Sequence, residues 1–295
     1  MSSAIFYIHA LSPLHMGTGA AVGAIDLPHA RETATQLPNV PGSGIKGVWR
    51  DQFPRHTAET TRLFGSDWSE PTRDQAALLF SDAWLLCMPV MSFVGDFAWV
   101  TSPMSLARFA RERRYTLPND ALPPLPQPQT HQAQVSADCV LKHEGDLYLH
   151  ELKIKASDNK AVQDWAELIA REVFADDTEY QKEFVKRFVV VGEAELVHLS
   201  HAAGHVPMRN ALDDNKLVTK GALWSEENMP AETMFWGTVS ADTLQDRDNQ
   251  IHSARDSLNQ FTHLAKQNPR LQFGGKASVG RGVCRFVLAT PKGAA

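Results

Sequence analysis

The chain has 295 residues, 43% of them hydrophobic, and a formal charge of −5 from 29 basic and 34 acidic side chains. Length and apolar content suffice for a packed core and exclude a chain that is disordered throughout. No run approaches the roughly 18 apolar residues of a membrane span, and no basic segment leads an apolar one at the N-terminus, so no membrane partner and a cytoplasmic location are expected. Cys87, Cys139 and Cys284 form no CxxC pair, which predicts reduced thiols and neither a disulfide framework nor a zinc knuckle. The negative balance argues against indiscriminate nucleic-acid binding.

In chain order, residues 5–11 read as a buried strand that stops at Ser12-Pro13. Residues 1–25 hold no Asp, Glu, Lys or Arg, so Asp26, just after GTGAAVGAI, is the first formal charge. PGSGIKG at 41–47 predicts a helix from near Gly44 with Ser43 as its cap and Ile45, Val48, Trp49 and Phe53 as its apolar face. Residues 76–86 read as a strand and 93–100 as another, after a break at Pro89; a helix over 103–114 starts on Pro103 and ends among Arg108, Arg111, Arg113 and Arg114. Five prolines between 117 and 128 predict an exposed loop over 117–130.

Trp165, Leu168, Ile169 and Val173 share one helical face, and a second short helix carrying Phe184 leads into a strand at 188–191. Residues 206–224 read as a hairpin turning at Asp213-Asp214-Asn215, with Arg209, Lys216 and Lys220 on its arms. Ile251, Ala254, Leu258, Phe261 and Leu264 mark an amphipathic helix ending before Pro269, and the glycine-rich FGGKASVGRG at 273–282 precedes the strand CRFVLAT. Strands at both ends with helices between them imply an α+β sheet in which the first and last strands are neighbours, so that the glycine loop lies beside the first strand.

FGGKASVGRG has no GxGxxG spacing and PGSGIKG is not GxxxxGK[ST], which disfavours a nucleotide-binding enzyme. What remains is a glycine-rich backbone able to approach a phosphate, flanked by Lys276, Arg281 and Arg285. His201 and His205 are four apart but lack the glutamate of a zinc helix, and Gly204 weakens the helix they would need. His15 follows a strand end and precedes MGTGAAVG, a place suited to function. Asp26 alone, with an ordinary carboxylate pKa of about 3.9, is a poor base at neutral pH and would need a metal ion or a strained substrate.

The segments IFYIHALSPLHMGTG, AIDLPHARE, LPNVPGSGIKGVWR, LLFSDAWLL, FAWVTSPMSLARF, KGALWSEENMPAETMF and GGKASVGRG, in this order along almost the entire chain, resemble the backbone subunits of type III-B CRISPR Cmr effector complexes, in the RAMP superfamily. The resemblance implies a single domain over 1–295 with a modified ferredoxin-like or RRM-like fold. Its insertions would include the 117–130 loop and a thumb hairpin at 206–224, whose Met208, Leu212, Leu217 and Val218 would wedge against bases. It further implies a filament on CRISPR RNA, each copy covering about six nucleotides, with target RNA, neighbouring copies and other Cmr subunits as partners.

The family cleaves paired target RNA at that spacing with a divalent metal, which here would be Mg2+ or Mn2+. Its required aspartate corresponds to Asp26, expected to serve catalysis and to hold metal; His15 and Glu227 are secondary catalytic candidates, with the choice between Glu226 and Glu227 open. Arg31, Lys46, Arg50, Arg209, Lys216, Lys220, Lys276 and Arg281 are the expected RNA contacts, Lys46 and Arg50 at a helix N-terminus that offers N–H donors to phosphate. The rival reading is an RNA-binding scaffold without activity.

The net charge is an average over unlike regions. Residues 1–50 carry +1 and residues 270–295 carry +5, which leaves −11 on the remaining 219. Terminal segments that meet in a sheet would form a basic face on an otherwise acidic molecule.

Overall fold

A computed structural model describes residues 2–19, 25–66, 74–246 and 249–289, the side chains of Leu212 and Lys220 excepted. The uncharged N-terminal run forms β1 (Ser2–Ala10), whose side chains are buried from Ile5 onward. After it come β2 (Asn39–Val40), α1 (Gly42–Arg50), α2 (Ala58–Phe64), β3 (Leu78–Phe80), β4 (Ala83–Met91), β5 (Phe97–Thr101) and α3 (Pro103–Thr116). The middle of the chain adds β6 (Gln132–Val135), β7 (Asp146–Leu149), β8 (Leu152–Asp158), α4 (Lys160–Val173), α5 (Thr178–Arg187), β9 (Phe188–Val190) and α6 (Glu193–Ala202). The last third holds β10 (Met208–Leu212), β11 (Val218–Ser225), β12 (Met234–Ala241), β13 (Leu244–Gln245), β14 (Ile251–His252), α7 (Ala254–Gln267), β15 (Arg270–Gln272) and β16 (Val283–Leu288).

The main sheet runs β15-β16-β1-β12-β4-β5-β9-β6-β8-β7, with β2 on β4 and β3 on β12. It is mixed: β5 with β9 and β6 with β8 are parallel, the other pairs antiparallel. The fold is therefore α+β, and the terminal strands are neighbours as expected, with Phe6 opposite Leu288 and Ala10 opposite Cys284. Alternation along β1 divides the core. Phe6 and Ile8 face one cluster with Trp49, Phe261 and Phe286, while Ile5 and Tyr7 face the other with Phe109, Trp165 and Trp236. All three cysteines are buried free thiols. Among the described residues no helix is long and apolar enough to cross a membrane.

Several expectations shift for local reasons. The strand expected over 76–86 is two strands, β3 and β4, separated by Ser81-Asp82, and β4 runs on through Pro89 to Met91. Its pairing with β12 ends at Cys87, so Pro89 has a strand neighbour on the β5 side alone, where a strand tolerates proline. Helix α1 starts at Gly42, with Pro41 and not Ser43 in the cap position. Asp82 explains the earlier start, because its Oδ1 accepts the Gly42 N–H at 2.8 Å. A Cβ at 42 would stand 2.7 Å from the Phe80 carbonyl oxygen, so the close approach needs glycine.

Ile251 belongs to β14 and is exposed; α7 begins after Ser253, whose hydroxyl accepts the Asp256 N–H. The proline-rich segment has no regular structure, yet Pro126 is buried, Leu122 and Leu125 pack on the second core cluster, and the Pro124 carbonyl accepts the Trp165 indole N–H at 3.0 Å.

Candidate active site and nucleic-acid interface

Three chain segments interlock just beyond the end of β1. Leu14 bridges Met229, Gly17 bridges His29, and Leu27 bridges Glu226. Backbone N–H groups of Leu27, Glu227 and Met229 donate to the carbonyls of Ser225, Leu27 and Leu14. These contacts bring His15, Asp26 and Glu227 into one region at the root of the β10–β11 hairpin.

Asp26 is exposed, but its carboxylate is fixed. Oδ2 accepts the Ser225 N–H at 2.8 Å and the Ser225 hydroxyl at 2.9 Å, and Ser225 Oγ also lies 2.9 Å from the Asp26 N–H. The backbone bond, then the hydroxyl, hold its pKa below the usual carboxylate value. The group is ionised at neutral pH and faces solvent beside the last residue of β11.

His15 is buried with Nδ1 2.7 Å from the Glu227 carbonyl oxygen, which makes Nδ1 the protonated nitrogen of the neutral ring. Glycines border this ring. A Cβ at 17 would lie 2.9 Å from His15 Nε2, and one at 274 would lie 2.1 Å from the His15 carbonyl oxygen. Gly274 also has φ +70°, so both its space and its backbone exclude a side chain. With the Gly275 N–H donating to the same carbonyl at 3.1 Å, the glycine loop is the floor under His15.

Glu227 is buried and spent on structure. Oε1 accepts from the Arg31 guanidinium at 2.5 Å and Oε2 accepts the His29 N–H at 3.0 Å. Arg31 completes its bonding on the Gln36 carbonyl and on the hydroxyl and carbonyl of Ser200. Its guanidinium points inward, so little of it is left for an outside partner. His29 donates its backbone N–H to Glu227 and stacks on Phe235, its pKa pushed down to about 3 by burial and then by the Arg31 charge.

Glu226, one residue earlier, is also buried, but among the described residues no hydrogen bond reaches its Oε1. Its Oε2 lies 3.9 Å from Arg209 Nε on β10 and 4.0 Å from Lys276 Nζ in the glycine loop. The Lys276 ammonium sits 5.6 Å from the centre of the Trp224 ring. Two expected RNA contacts, distant in sequence, therefore meet over one carboxylate.

The other expected contacts are scattered. Lys46 and Arg50 sit one turn apart on α1, where partial burial and then the Arg50 charge lower the Lys46 ammonium. The start of α1 is not an open phosphate seat, since Asp82 holds the Gly42 N–H and the Pro41 carbonyl takes those of Gly44 and Ile45. Lys216 is exposed at the hairpin turn, and the Lys220 and Leu212 side chains lie outside the described residues. Arg281, in the glycine loop, has a buried Nε without a hydrogen-bond partner among the described residues, and Arg285 pairs with Asp176 at 3.1 Å. Met208, Leu217 and Val218 are exposed on the hairpin, and so is Leu223, which the spacing of the sequence does not single out. The hairpin register shifts between Asn210 and Leu212.

His201 and His205 do not share a helix face, because α6 ends at Ala202. Among the described residues no three His, Cys, Asp or Glu side chains are grouped to hold a metal ion. Asp26 offers a single exposed carboxylate. That suits a hard cation which takes one or two carboxylates and completes its shell with phosphate oxygens and water, and it does not suit a cage of protein ligands.

The family is decided by residues 7–285, which match the model of the RAMP superfamily. The chain belongs to that superfamily. This RAMP protein is 26% identical over 311 aligned positions, 98% of its own length and 96% of the relative's, to the CRISPR system Cmr endoribonuclease Cmr4 of Pyrococcus furiosus. A shorter match, 37% over 75 residues and covering 20% of this chain and 35% of the relative, is to the Cms endoribonuclease Csm3 of Enterococcus italicus. The fold is that of oligomeric Cmr4 from Pyrococcus furiosus, at TM-score 0.71 and 22% identity over 98% of both chains. A chain of the type III-B Cmr-beta complex bound to cognate target RNA has the same fold, at TM-score 0.71 and 17% identity over 98% of this chain and 97% of that one.

Proposed function

We propose that this RAMP protein is the repeated backbone subunit of a type III-B Cmr-like complex, binding CRISPR RNA and cleaving the paired target RNA. The observation that carries the reading is the ionised Asp26 carboxylate locked to Ser225 at the hairpin root, on a chain similar over nearly its full length to a Cmr endoribonuclease. The hairpin, with exposed Met208, Leu217, Val218 and Leu223, acts as the thumb that displaces a target nucleotide from pairing. Cuts then fall at each thumb, about every six nucleotides.

In the proposed reaction a ribose 2′-OH attacks the adjacent phosphorus in line with the departing 5′ oxygen, and holding that alignment supplies much of the rate. Asp26 orients the 2′-OH and guides its proton to solvent, and the 5′ oxygen takes up a proton from solvent as its bond to phosphorus breaks. His15, tautomer set by the Glu227 carbonyl, presents Nε2 as an acceptor beside the glycine loop. Glu227 and Arg31 act as positioning residues that hold the His15 and Asp26 segments together. Asp26, with phosphate oxygens of the RNA, would hold Mg2+ or Mn2+, which when bound stabilises charge building on the phosphate. Lys46, Arg50, Arg209, Lys216, Lys220, Lys276 and Arg281 are assigned to RNA phosphates.

The test is target cleavage by the reconstituted complex carrying Asp26→Ala or Asp26→Asn. Guide binding should stay unchanged while regular cleavage is lost with both variants. Continued cutting at the same spacing would leave the chain a scaffold.

A further inference from the structure

Arg209 and Lys276 reach one point from separate elements, β10 and the glycine loop, and neither is consumed there. The contrast with Arg31 is direct: Arg31 meets Glu227 at 2.5 Å, whereas Arg209 Nε and Lys276 Nζ stand 3.9 and 4.0 Å from Glu226 Oε2, beyond a hydrogen bond. Among the described residues Arg209 Nε has no hydrogen-bond partner and Glu226 Oε1 has none either, although Glu226 is 1% exposed. A buried carboxylate with an unmet oxygen is costly unless charge nearby compensates it. Two cations brought this close repel each other unless an anion lies between them. Each condition relieves the other, and the side chains of Arg209 and Lys276 remain 30% and 36% exposed.

Resting on the RNA-binding reading above, we infer that Arg209 and Lys276 form a single seat for one RNA backbone phosphate, with Glu226 as the buried counter-charge that holds the two cations side by side. The phosphate meets the exposed sides of Arg209 and Lys276, which Glu226 holds from beneath. Trp224, opposite Arg209 in the hairpin ladder and under the Lys276 ammonium, fixes the approach of the lysine. Glu226 is thus a positioning residue that joins the hairpin root to the glycine loop, and it stands outside the reaction that Asp26 performs.

A shared phosphate makes the two cations non-additive, which sets it apart from two independent contacts. The full chain is titrated with a single-stranded guide RNA, and separately with guide–target duplex, over a range of salt. Arg209→Ala and Lys276→Ala should each weaken binding about tenfold, and the double variant by much less than about a hundredfold. The slope of log affinity against log salt should fall by about 0.7 in the double variant, the value for one phosphate of a single strand, not by about 1.4. In a Glu226→Gln background, without the counter-charge, the two losses should become additive.

Additive losses in the wild-type background, with a slope change of about 1.4, would overturn the shared seat while leaving RNA binding intact. That cycle does not depend on the folding of the Glu226 variant. If the unaltered chain binds neither RNA, the functional reading itself fails. An effect on guide RNA alone assigns the phosphate to the guide, and an effect seen solely with duplex assigns it to the target.

Discussion

Two buried clusters of arginine and carboxylate lie in different parts of this molecule, and they are built to opposite rules. Behind the sheet, under α3 and α4, Arg113 donates through Nε to Asp120 at 2.6 Å and through both terminal nitrogens to Glu172, which also accepts the Tyr7 hydroxyl at 2.6 Å. Its guanidinium is fully engaged and its side chain is 1% exposed. At the hairpin root, Glu226 is just as buried, but its cations stop short of hydrogen bonding and keep one side in solvent. A closed network specifies the fold; an open one leaves donors for something that is not part of the chain. Glu227 shows that neighbours in sequence can fall on opposite sides of this division, since with Arg31 it follows the closed pattern.

The largest effect expected from this contrast is in the closed cluster. Arg113→Ala strands Glu172 in the core and should cost about 3 to 5 kcal/mol of stability, read from denaturant midpoints. RNA affinity of the fraction still folded should be unchanged, and a selective loss of affinity would erase the distinction. Arg31→Ala should behave in the same way on a smaller scale, about 1 to 3 kcal/mol, with no change in the salt dependence of RNA binding. A flatter salt dependence would return Arg31 to the RNA surface.

Acid exposes a further difference. His29, wedged beside Arg31, is neutral in the folded state with its pKa at about 3, against 6.5 for the free side chain. The unfolded chain therefore binds the extra proton between these values, so stability present above pH 6.5 drains as pH falls toward 3. The slope is about 1.4 kcal/mol per pH unit at most, and His29→Gln should remove that share of the acid sensitivity in denaturation curves. The smallest effect is at Asp26. Ser225→Ala removes the hydroxyl and keeps the stronger backbone bond, so the Asp26 pKa should rise part of the way toward its ordinary value. The acid limb of the cleavage profile should then move to higher pH; an unmoved limb would mean that Asp26 does not titrate in the rate.

Much of the fold and part of the site are legible in the sequence because they depend on local pattern. The apolar runs and caps place β1, α3, α4 and the hairpin, and the position of Asp26 directly after a long uncharged segment is enough to mark it. What the sequence hides depends on contacts across the chain. The partner of Asp26 is Ser225, 199 positions away and easily passed over beside the two acids that follow it. Arg31 reads as a free cation until Ser200 and Glu227 are seen to surround it. The start of α1 reads as a vacant N-terminus because the residue that fills it, Asp82, belongs to the turn between two strands. Ile251 fits the helical period, yet the chain spends it on a two-residue strand before Ser253 caps the helix.

The bond between Asp26 and Ser225 has a mechanical consequence. Ser225 is the last residue of β11, so the carboxylate is tethered to the base of a lever whose exposed tip is the hairpin turn. If the hairpin seats between paired strands as proposed, any tilt of its base would carry Asp26 along with it. On that proposal, register of the duplex and aim of the carboxylate become one degree of freedom, and a poorly seated target would meet a misdirected acid.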